Sequence, residues 1–177
     1  MIGMSLASAG ASDAWHGRVI HPPRVAWDFV LTNTRGEKNR LSDFRGRLVL
    51  VMFGFARCPS VCPLQIARVG AALRELPADV EVLFIGLDRE DTQESLAAFL
   101  QPAGPAFTGL LGSPKEIQSV ARAFDARFQG EAQGIDHSTD VSVIDRRGRL
   151  RVVFSDAELA DTRAVASDLK RLLAEEP

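Results

Sequence analysis

Residues 48–53 read Leu-Val-Leu-Val-Met-Phe, six apolar side chains without a break. Side chains alternate between the two faces of a strand, so such a run is satisfied only where both faces are covered. Residues 80–86, Val-Glu-Val-Leu-Phe-Ile-Gly, read as a second buried strand. Between them, Ile66, Val69, Leu73 and Leu76 recur at spacings of three and four, and Pro77 stops the pattern. This predicts a helix from Pro63, a residue tolerated in a first turn. Buried strands joined through a helix imply a parallel core.

The rest of the chain extends that core. Residues 29–32 and 40–42 flank Asn33-Thr34-Arg35-Gly36, a hairpin signal. Asp91-Thr92-Gln93-Glu94 reads as a helix cap ahead of Leu96, Phe99 and Leu100, with Pro102, Gly104 and Pro105 as the stop. Ser113-Pro114-Lys115-Glu116 is a sharper helix start, and Ile117, Val120, Ala121 and Phe124 form the stripe behind it. Residues 141–144 and 150–154 flank Asp145-Arg146-Arg147-Gly148, an antiparallel hairpin, and a last helix is expected over residues 157–173. The order predicts an α/β, thioredoxin-like fold: a central mixed sheet flanked by helices, with an N-terminal β-hairpin. One domain is expected over residues 23–177, behind a flexible tail over residues 1–22. A formal net charge of -2 gives no broad basic footprint for nucleic acid. No apolar run reaches the roughly 18 residues of a membrane helix.

Cys58 and Cys62 are the only cysteines, in Gly54-Phe55-Ala56-Arg57-Cys58-Pro59-Ser60-Val61-Cys62-Pro63. They are expected on an exposed rim at the strand-to-helix turn, one of them where a helix N-terminus favours negative charge. Such a pair suits thiol redox chemistry or a soft metal. A thioredoxin-like fold returns the turn before its closing hairpin to this same edge, and that turn carries Asp136-His137-Ser138. His137 is therefore expected beside the cysteines. Two thiolates and an imidazole can serve Cu(I) through sulfur and Cu(II) through sulfur and nitrogen. A closed zinc site wants four protein ligands, and three are found. Arg57 is a candidate for lowering the Cys58 pKa or a solvated strand-end residue. Asp88 and Asp91 are loop and cap residues or a second cation site. His16 and His21 fall in the expected tail, without a metal role. Arg146, Arg147 and Arg149 read as a solvated hairpin tip.

Several segments resemble the Sco/SenC copper proteins over about residues 27–154. They are Leu41-Ser42-Asp43-Phe44-Arg45-Gly46, Phe53-Gly54-Phe55, Cys58-Pro59-Ser60-Val61-Cys62-Pro63, Asp88-Arg89-Glu90-Asp91-Thr92, Phe107-Thr108-Gly109-Leu110 and Asp136-His137-Ser138. The resemblance implies a copper ion held by Cys58, Cys62 and His137. It implies delivery to the binuclear copper site of cytochrome c oxidase, or reduction of that site's thiols. The partner would be the copper-accepting subunit or another copper chaperone. It also implies a periplasmic or other extracytoplasmic location and a membrane tether. Residues 1–14 lack the basic start and long apolar stretch of a complete signal peptide. Ser60 stands where the family more often has Asp, which removes a carboxylate from the turn. A monomer is expected.

Three functions compete: a copper metallochaperone, a dedicated thiol–disulfide oxidoreductase with a redox-active Cys58–Cys62 pair, and a peroxidase of the peroxiredoxin type. The last needs Thr where Phe55 stands. An ordinary thioredoxin has a shorter cysteine spacing and a proline before its hairpin strand, whereas no proline occurs from Lys115 to Glu176. Copper binding ranks first and the dedicated reductase second.

Overall fold

The computed structural model describes residues 14–77, 80–129 and 136–176, with backbone only for Gln129, Asp136 and His137. The strands are β1 (Arg18–Val25), β2 (Val30–Asn33), β3 (Lys38–Arg40), β4 (Leu48–Gly54), β5 (Val80–Gly86), β6 (Phe107–Leu111), β7 (Phe128–Gln129), β8 (Asp136–His137), β9 (Val141–Ile144) and β10 (Arg149–Phe154). The helices are α1 (Val61–Leu73), α2 (Gln93–Leu100), α3 (Pro114–Ala123), α4 (Asp156–Leu159) and α5 (Thr162–Ala174). Eight strands form one sheet in the order β1-β10-β9-β4-β5-β6-β2-β3. The pairs β4–β5 and β5–β6 are parallel, and β9 runs antiparallel to β4. This is the expected thioredoxin-like arrangement, with a mixed sheet between helices.

The unbroken apolar runs become the two central strands because both faces are covered. Leu48, Leu50 and Met52 of β4 join a core with Ile66 and Val69 of α1, Leu96 of α2 and Leu169 of α5. The alternate residues Val49, Val51 and Phe53 join Ile117 and Val120 of α3, and Phe124 just after it, on the other face. Phe84 is fully buried and packs on Phe99, ring centroids 5.7 Å apart. Removing a ring from such a place typically costs about 3–5 kcal/mol.

Four features depart from the sequence reading. Residues 18–22, expected in a tail, belong to β1, which pairs with β10 at the sheet edge. Just before it, the amides of His16 and Gly17 both donate to Asp168 Oδ2 at 2.9 Å, and that aspartate is buried. A polar side chain on α5 thus draws in a segment whose own sequence carries no strong pattern. The expected single C-terminal helix is two, because Ser155 caps α4 and Asp161 caps α5. Helix α1 starts at Val61, two residues before Pro63. The cap of α2 is Thr92 with Ser95, not Asp91.

Candidate functional site

The turn from β4 into α1 is pinned on both sides. Leu87 N donates to Gly54 O at 2.7 Å, continuing the parallel pairing past the strand ends. Asp91, released from capping, accepts the Ala56 amide through both carboxylate oxygens at 3.2 and 3.1 Å. Burial pushes the Asp91 carboxyl up, and this bond opposes it. Arg57 pairs with buried Asp88 at 2.8 Å and with Glu90 at 2.5 Å. Its charge is therefore engaged with the β5–α2 turn. Asp88 and Asp91 act as a clasp on the cysteine loop. A cleft of about 470 Å³ opens beside them, lined also by Lys115, Gln118 and Phe128.

The sulfurs lie beneath the rim and not on it. Cys58 is 9% exposed and Cys62 fully buried, whereas Val61 and Leu64 of the same segment are exposed. Neither is in a disulfide. Burial is possible because β4 ends in glycine: a Cβ at Gly54 would stand 2.6 Å from Phe84 Cζ and 2.8 Å from Cys62 Sγ. Ser60, at the N-cap of α1, makes no side-chain cap bond. The Cys62 amide donates to Cys58 Sγ at 3.3 Å, so that sulfur serves an N–H of the first turn. It sits at the positive end of the helix dipole. Burial, then the hydrogen bond with Cys58, pushes the Cys62 thiol up to about 12. The two thiols are close and chemically unequal.

His137 comes to the same sheet edge through its backbone. In the β4–β9 register Val51 faces Ser142, so the chain ahead of Val141 leaves the sheet at the C-terminal end of β4, where the cysteine loop begins. His137 itself pairs with Phe128 in the short β7–β8 ribbon. Ser138 N donates to Arg127 O at 2.8 Å, and Arg127 N to Ser138 Oγ at 3.0 Å. The His137 side chain and residues 130–135 lie outside the described residues. Among the described residues no group of three His, Cys, Asp or Glu side chains gathers as a metal site.

The family model SCO1/SenC matches residues 18–174. The chain belongs to the SCO1/SenC family. It is 32% identical over 146 residues to the mitochondrial SCO2 homologue of Bos taurus, covering 76% of this chain and 55% of that protein. The chain thus spans little more than half the length of that relative. Among solved structures it resembles apo Sco1 from Thermus thermophilus, with 32% identity, a TM-score of 0.81, and coverage of 92% and 99% of the two chains. It also resembles copper-bound ScoI of Bradyrhizobium japonicum, with 27% identity, a TM-score of 0.74, and coverage of 84% and 99%.

Within this SCO1/SenC chain, two further sequence readings change. Arg146, expected at a solvated tip, donates to Glu175 O, and Arg147 donates to Glu176 O, so both close on the end of α5. His16, expected in the tail, has Nε2 2.8 Å from Glu158 O. Sequence reasoning missed Gln65, a buried polar residue on α1 whose Nε2 donates to Thr139 O at 2.5 Å. Its signal was a glutamine on the apolar stripe, one position before Ile66.

Proposed function

We propose that this protein carries copper, bound through Cys58, Cys62 and His137, and passes it to a copper-accepting partner. The observation that carries the reading is the pair of adjacent buried thiols at the start of α1, on the edge to which the His137 backbone returns. Soft sulfurs suit Cu(I), and an added imidazole suits Cu(II). The Cys62 proton must leave on binding, so affinity should rise with pH. The resemblance to Sco/SenC proteins supports the binuclear site of cytochrome c oxidase as destination and a tethered, extracytoplasmic setting. Among the described residues no helix is long and apolar enough to cross a membrane.

Titration of the reduced protein with Cu(I) and Cu(II), followed by metal content and visible spectrum, tests this. One copper per chain is expected, with a thiolate-to-Cu(II) charge-transfer band, and none after verified oxidation of the pair. Replacing His137 by Ala should cost Cu(II) affinity more than Cu(I) affinity, beyond the roughly 10–100-fold of outer-shell changes. Copper retained by the fully oxidised protein refutes the shared thiolate site. The Cys58–Cys62 contact also favours a second reading, a dedicated reductase of the partner's cysteines. It predicts thiol transfer to that partner without ordinary insulin reductase activity.

A further inference from the structure

We infer that Gln65 is a positioning residue that sets His137 relative to the cysteine pair; the inference rests on the three-ligand reading above and deepens it. Among the described residues Gln65 is the one buried polar side chain on α1, 1% exposed. A buried amide is costly unless hydrogen-bonded. Gln65 Nε2 donates to the backbone carbonyl of Thr139 at 2.5 Å, across a sequence separation of 74.

The two ends of that bond are not arbitrary. Gln65 lies three residues after Cys62, so the two occupy neighbouring positions on one helix. Thr139 lies two residues after His137, between the β7–β8 ribbon and the start of β9 at Val141. On one side the Ser138–Arg127 bonds zip the ribbon closed. On the other, β9 is locked into the sheet beside β4. The Thr139 carbonyl lies in the short link between the ribbon and the sheet. The Gln65 amide holds that carbonyl from the helix that carries Cys62. It therefore ties the helix that carries Cys62 to the backbone two residues after His137.

The test compares Gln65→Met with His137→Ala and with the double variant, reading Cu(II) affinity, the Cu(II) charge-transfer spectrum and Cu(I) affinity. Met removes the donor at nearly constant shape. Cu(II) affinity should fall roughly tenfold with a shifted band, in the range of outer-shell changes, while Cu(I) affinity is largely retained. A residue that acts through His137 loses its effect when His137 is gone, so the double variant should bind Cu(II) no worse than His137→Ala. An additive loss, or equal losses for Cu(I) and Cu(II), overturns the positioning role in favour of general stability. Weakened Cu(II) in His137→Ala with none in Gln65→Met overturns it too, leaving the three-ligand reading intact. No change in His137→Ala fells that reading and the inference together. If Gln65→Met does not fold, Gln65→Glu, which keeps the shape and turns the donor into a carboxylate, is read by the same comparisons.

Discussion

Cys58 and Cys62 differ in what surrounds them more than in their place in the sequence. Cys58 Sγ takes the N–H of Cys62 and retains 9% exposure, whereas Cys62 is fully enclosed. Burial, then the hydrogen bond with Cys58, pushes the Cys62 thiol up, so less of it is the reactive thiolate. Iodoacetamide at about pH 8 should therefore modify Cys58 first and leave Cys62 until the protein is unfolded. Peptide mass spectrometry of a time course checks this, and equal rates at the two positions would contradict the deeper burial of Cys62. The spacing of the cysteines was legible in the sequence. Their burial was not, because it depends on Gly54 leaving room beneath Phe84, a contact between residues 30 apart.

Between elements, the clasp of the β5–α2 turn on the cysteine loop separates two kinds of interaction. Asp91 holds a backbone amide, whereas Arg57 is an ion pair with a guanidinium side chain about half exposed. Losing the Asp91 acceptor should cost about 1–3 kcal/mol, because it strands a part-buried N–H. Removing Arg57 should cost less than that, since its half-exposed guanidinium is screened and Asp88 keeps the Glu90 amide as a donor. Urea denaturation of Asp91→Ala and Arg57→Ala gives the order, and a larger loss for Arg57→Ala would reverse this account. Sequence periodicity found α2 and α3 through their caps and stripes. It misassigned Asp91 because several residues near a helix start can cap it, and only the position of Ala56 shows which carboxylate is needed elsewhere.

Across the whole molecule, the closing hairpin is fastened to the C-terminal helix by charge. Asp145 accepts from Arg149 Nε at 2.9 Å and from Arg151 at 3.1 Å, and Arg151 also reaches Glu175. Burial alone would raise the Asp145 carboxyl, but the bonds from Arg149 and Arg151 outweigh it and hold it below the usual aspartate range. The bond from Arg151 holds the Glu175 carboxyl below the usual glutamate range. Both folded values lie below the unfolded ones. The stability they contribute is therefore full above about pH 4.5 and is lost as pH falls through the lowered folded values. Asp145→Asn should lower the urea midpoint at pH 7 and shrink its fall between pH 7 and pH 3. An acid limb unchanged by the substitution would place the titrating group elsewhere.

The sequence by itself determined the parallel core, the hairpins, the main helices and the cysteine turn, because each rests on period, caps or breakers within a short window. Leu48 to Phe53 can be little other than a strand covered on both faces. Only the tertiary structure decided that Arg18–Val25 is an edge strand, that both thiols are buried, that Asp91 serves Ala56, and that Gln65 bonds Thr139. Each of these joins groups far apart in the chain, and a donor's sequence neighbours do not say which distant acceptor the folded chain will bring to it.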